Sequence, residues 1–114
     1  MEQLRITTIQ AALHWEDPAA NRRDFARKIA PLQGQTDLIV LPEMFTTGFT
    51  MAAERLAEPM EGPTLAWMRE QAAASGAVLT GSLIVREGAG CYNRLVWMRP
   101  DGSYHCYDKR HLFT

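Results

Sequence analysis

The chain has 114 residues, 46% of them hydrophobic and 22% charged, a length that suits one small domain. A chain of that size buries about two-thirds of the surface its unfolded form exposes, so a core is affordable. Lys and Arg number 12 against 13 Asp and Glu, for a net charge of -1, which excludes a globally basic nucleic-acid binder and an acidic disordered tail.

Residues 4–10 (LRITTIQ) are β-branched and apolar and predict a first strand. Asp17-Pro18 then supplies an N-cap with proline at the first helical position. Phe25, Ile29 and Leu32 recur on one helical face, so a helix is predicted over 18–30, ended by Pro31 and Gly34. Residues 37–41 (DLIVL) form an apolar run of strand length closed by Pro42, as in a buried parallel strand. Residues 43–59 read as a long connection whose Met44, Phe45, Phe49 and Met51 suggest a binding loop. Gly62-Pro63-Thr64 opens a second helix that carries Leu65, Met68 and Ala72 on one side and stops at Ser75-Gly76. Residues 77–85 predict a third strand, in which Gly81 marks a bulge or a close backbone approach. Two further strands, over 91–99 and 103–107, are joined by the turn signal Pro100-Asp101-Gly102. The order β-α-β-α-β-β-β predicts α/β layers with an antiparallel hairpin late in the chain.

Glu43 is the first chemical candidate. It lies just past the carboxyl end of a buried strand, where sites gather in open α/β sheets. Beside Met44 and Phe45 its carboxyl is expected to be partly desolvated, with a raised pKa suited to a general base. The alternative is a solvated loop glutamate. Lys109, in Tyr107-Asp108-Lys109-Arg110-His111, is expected to follow the last strand. Such a run of cations reads as a solvated face or a weak anion patch, and within a site the ammonium stabilises an oxyanion.

His14, His105 and His111 show no metal-ligand spacing, so no metal or cofactor is expected. Cys91 and Cys106 fall within strands and read as buried structural thiols. With two cysteines, no apolar run of ~18 residues and no signal-peptide order at the N-terminus, a cytoplasmic protein without a membrane partner is expected. Gly81-Ser82 lacks the glycine spacing of a phosphate loop, which argues against a nucleotide-binding domain. The scattered Trp15, Trp67 and Trp97 read as packing residues.

The segment Leu41-Pro42-Glu43-Met44-Phe45-Thr46-Thr47-Gly48-Phe49 resembles the nitrilase superfamily of carbon–nitrogen hydrolases. The segment Tyr107-Asp108-Lys109-Arg110-His111-Leu112-Phe113 matches that family's lysine block. Between them, Gly62-Pro63-Thr64, Thr80-Gly81-Ser82-Leu83, Tyr92-Asn93-Arg94 and Pro100-Asp101-Gly102 recur in the family's order. The wording is most similar to the ω-amidase branch. The resemblance implies a four-layer αββα sandwich, assembled as a homodimer or higher homo-oligomer. It implies hydrolysis of terminal amides of small 2-oxo acids such as 2-oxoglutaramate.

On the same grounds Glu43 would be the general base and Lys109 would stabilise the tetrahedral intermediate. Phe45 and Phe49, in the apolar loop, are expected to contact substrate. The family's nucleophilic cysteine and second glutamate follow the lysine block, and Cys91 and Cys106 match neither. Residues 1–114 are therefore expected to be the N-terminal part of a single hydrolase domain, inactive alone. Ammonia release by the isolated chain, surviving loss of both cysteines, would overturn that expectation. The competing reading is a non-catalytic interaction module of the same fold.

Overall fold

The computed structural model describes residues 3–112; Phe113, which ends the lysine block, lies outside the described residues with Thr114. Two helices and five of the strands correspond to the predicted order: β1 Ile6–Thr8, α1 Pro18–Ile29, β2 Leu38–Val40, α3 Pro63–Ser75, β4 Val78–Glu87, β5 Gly90–Met98 and β6 Tyr104–Leu112. The connection after β2 is not bare, because it holds the single-turn helix α2 Ala53–Leu56 and the short strand β3 Glu58–Pro59. The last strand is longer than its sequence pattern suggests, so Lys109 lies inside β6 and not after it.

Local chemistry sets the ends of these elements. Asp17 caps α1 by accepting from the Ala20 amide at 3.2 Å, and Pro18 occupies the first turn. Gly76 ends α3 in the left-handed region at φ 72°, with its amide donating to Ala72 O at 3.0 Å. In the β5–β6 turn Asp101 accepts from the Ser103 amide at 2.9 Å, and Gly102 takes φ 89°.

The strands make one mixed sheet in the order β1-β2-β4-β5-β6, parallel from β1 to β4 and antiparallel from β4 to β6. β3 pairs with Val85 and Arg86, beyond the point where β2 leaves the same edge of β4. Residues 41–57 therefore depart from the sheet edge and return to it.

Strand alternation sends Leu79, Leu83 and Val85 of β4, with Val96 and Met98 of β5, to one face. There they meet Phe25 and Ile29 of α1 and Leu65, Met68 and Ala72 of α3 in the main core. On the opposite face Met44, Ala53, Ile84 and Cys91 form a smaller cluster. This helix layer on a mixed sheet is the α/β architecture expected from the sequence. Gly81 belongs to the close-approach reading: a Cβ there would lie 2.9 Å from Phe45 Cδ1 and 3.0 Å from Leu41 Cβ.

Candidate active site

After β2 the backbone stays bonded to β4 for five more residues. The Leu41 amide donates to Thr80 O at 2.8 Å, Phe45 to Ser82 O at 3.1 Å, and Met44 to Ser82 Oγ at 2.9 Å. Met44 packs with Ile84 and Cys91 on one face, and Phe45 lies in the main core on the other. Met44 adopts φ 54°, an uncommon conformation for a non-glycine residue, held by contacts on both sides of the sheet edge. These anchors fix Glu43 at the carboxyl end of β2.

Lys109 sits at a β-bulge. As far as Arg94 and Asp108, each residue of β6 opposes one residue of β5; beyond them Asn93 opposes Arg110 and Tyr92 opposes His111. Lys109 is the extra residue, and its ammonium reaches Glu43 Oε2 at 3.1 Å. Bulges beside active sites re-aim side chains in this way. Asn93 Nδ2 donates to the same Glu43 oxygen at 2.8 Å. The carboxylate is acceptor-only, which fixes the orientation of the amide. Asn93 is buried, and its Oδ1 has no hydrogen-bond partner among the described residues.

The expectation of a raised Glu43 pKa is corrected. The Lys109 ammonium, then the Asn93 amide, hold the carboxyl below the ordinary glutamate value, outweighing burial. The side chain remains 35% exposed, so desolvation opposes them only weakly. Glu43 is an ionised acceptor poised between two donors.

A cleft of about 380 Å³ opens beside Asn93, the amide partner of Glu43, its walls including Met44, Phe49, Met51, Arg110 and His111. Phe49 lines this cleft. Phe45 does not, because its ring is fully buried, edge-on to Phe25 at 5.9 Å and tilted against Trp67 at 5.7 Å. Its apolarity belongs to the core.

Cys91 is buried, but Cys106 is exposed, contrary to its reading as a buried thiol. It opposes Val96, on the face away from Glu43. Among the described residues no cluster of His, Cys, Asp and Glu is arranged to hold a metal, and no helix is long and apolar enough to cross a membrane. Sequence reasoning passed over Asn93 and Arg110 as site residues. Both lay inside quoted motifs, Tyr92-Asn93-Arg94 and the lysine block, but no glycine or proline announces the bulge that brings them together.

Fold and site together define an α/β protein with a glutamate–lysine pair at the carboxyl end of a parallel strand. Residues 5–114 match the carbon-nitrogen hydrolase family, and the chain belongs to it. It is 43% identical over 115 residues to omega-amidase YafV of Escherichia coli strain K12, covering 99% of this chain and 43% of that protein. It is 28% identical to the 2-oxoglutaramate amidase of Bacillus subtilis, covering 95% of this chain and 43% of that protein. The crystal structure of XC1258 from Xanthomonas campestris, a CN-hydrolase superfamily protein with an arsenic adduct in its active site, superposes with a TM-score of 0.93. That match has 51% identity and covers 99% of this chain and 43% of the other. The chain thus spans less than half the length of these relatives.

Proposed function

We propose that residues 1–114 are the Glu- and Lys-bearing part of a single carbon–nitrogen hydrolase domain. The complete protein is then an amidase of ω-amidase type, acting on terminal amides of 2-oxo acids such as 2-oxoglutaramate. The observation that carries this reading is the 3.1 Å contact between Glu43 and Lys109, which unites the two motifs at one point. The omega-amidase and 2-oxoglutaramate amidase names of the relatives support the reaction class.

In the proposed mechanism a cysteine thiol, supplied by sequence after Thr114, attacks the amide carbonyl. Glu43 takes the thiol proton and returns it to the leaving ammonia; it then activates the water that releases the acid. Lys109 faces the oxyanion. Its partnership with Glu43 couples the two roles. As the ammonium turns toward the developing oxyanion, Glu43 loses its strongest charge partner and gains proton affinity at the step where it must hold the proton. Phe49, Met44 and Met51 offer an apolar wall to the substrate's methylene carbons. Phe45 acts by anchoring the loop. A reducing compartment suits a free catalytic thiol, and assembly as a homodimer or higher homo-oligomer rests on the family resemblance.

Ammonia release from 2-oxoglutaramate by the complete protein tests this reading. Glu43→Gln should lower kcat by at least about 10²–10⁴-fold, the range of general-base assistance. The unfolding temperature should barely move, because the carboxylate is one-third exposed. Retained turnover would refute the base assignment.

A further inference from the structure

The bulge at Lys109 decides where the next side chain, Arg110, points. Continued in the register of its first half, β6 would set Arg110 opposite Tyr92, on the helix face. The inserted residue instead sets Arg110 opposite Asn93, on the face of Glu43. Two successive cations thereby point at one site. Lys109 is engaged by Glu43, whereas Arg110 makes no ion pair among the described residues. Arg110 lines the cleft and contributes to the field that lowers the Glu43 pKa. Among the described residues no carboxylate side chain lines the cleft, and its remaining wall is largely apolar, including Met44, Phe49 and Met51.

We infer that Arg110 is a specificity-determining residue that receives the carboxylate at the far end of the amide substrate. The complementarity has two ends. An amide carbonyl faces the Glu43–Lys109 pair, a short methylene chain lies on the apolar wall, and an anionic group meets a guanidinium that has no ion pair among the described residues. A guanidinium is always charged and can grip a carboxylate through two parallel hydrogen bonds, geometry that a neutral amide of the same length does not satisfy. His111 is engaged otherwise, stacked on Tyr92 at 4.6 Å between ring centres. This assignment rests on the amidase reading of the same site.

The test uses the complete enzyme and its Arg110→Gln and Arg110→Lys variants. Two substrates are compared, 2-oxoglutaramate and the neutral amide butyramide, and binding of glutarate is measured separately by calorimetry. Arg110→Gln should lower kcat/KM for 2-oxoglutaramate by roughly 10- to 100-fold, mainly through KM, the range of a hydrogen bond to a charged partner. Measured on the pH plateau, where Glu43 is ionised in both enzymes, butyramide hydrolysis should fall by far less than 2-oxoglutaramate hydrolysis, glutarate binding should weaken in parallel with the first substrate, and Arg110→Lys should recover part of both losses. Equal losses on both amides, or unchanged glutarate affinity, would overturn the carboxylate assignment while leaving the amidase reading intact. An enzyme that hydrolyses neither amide yet binds glutarate through Arg110 would overturn the amidase reading alone. Absence of both activities and of glutarate binding would overturn both.

Discussion

Two arginine-bearing regions on opposite faces of the same hairpin are built by different rules. On the helix face Arg94, with a side chain only 6% exposed, is gripped by Asp108 at 2.5 and 3.1 Å and by Glu87 at 2.9 Å, with the Tyr92 ring 5.6 Å away. Asp108 and Glu87 raise its pKa despite burial. On the other face Lys109 has one carboxylate, itself shared with Asn93, and Arg110 has none among the described residues. A buried charge must be matched or it destabilises the fold, so Arg94 is satisfied within the chain. The half-exposed cations beside the cleft carry a smaller desolvation cost, and they can be left with capacity for a ligand. Structural charge and charge available for chemistry are distinguished here by how completely each is paired.

The comparison can be broken first on the helix side. Phe45→Ala removes a fully buried ring from between Phe25, Trp67 and the bare backbone of Gly81, so it should cost about 3–5 kcal/mol of unfolding free energy. Denaturant titration of the complete enzyme measures it. A loss below about 1 kcal/mol would mean the ring does not belong to the core. On the site side, Lys109→Ala should leave stability nearly unchanged and lower kcat by about 10²–10³-fold, as for loss of one oxyanion donor. It should also shift the pH profile. Lys109 is the largest cause of the low Glu43 pKa, so its removal raises that pKa. A base is active when deprotonated, so the acidic limb of kcat/KM should move to higher pH. An unmoved limb would contradict the pairing.

The helix face was the more legible in sequence, because its information is periodic. Phe25 and Ile29 recur at helical spacing, the DLIVL run reads as buried strand, and Gly81 marked a close approach that proved to be the Phe45 ring. Glu43 was singled out by its place after a buried strand and Lys109 by its motif, and the fold brings the two side chains to 3.1 Å. The errors fell where apolar character and distance from water parted company. Phe45 and Phe49 look alike in sequence, yet one is core and the other lines the cleft, because Phe45 follows the left-handed Met44 and swings under the sheet. The Glu43 pKa was misjudged because its donors come from strands distant in sequence, and Arg110 was missed because one inserted residue reverses which face a strand position serves.

The smallest expected effect is the most discriminating, because it separates packing from proton chemistry at one residue. Asn93→Leu keeps the branched, four-heavy-atom outline of the side chain while removing the donor to Glu43 and an Oδ1 that has no partner among the described residues. Removing an unsatisfied acceptor offsets the loss of one hydrogen bond, so the unfolding free energy should change by less than about 1 kcal/mol. Catalysis at optimal pH should fall by less than about tenfold, since Lys109 still faces Glu43. The Asn93 amide is the second cause lowering the Glu43 pKa, so the acidic limb of kcat/KM should again move to higher pH, by less than in Lys109→Ala. A residue that merely fills space would show the converse, lost stability with the pH limb unmoved, and that outcome would return Asn93 to the ranks of packing residues.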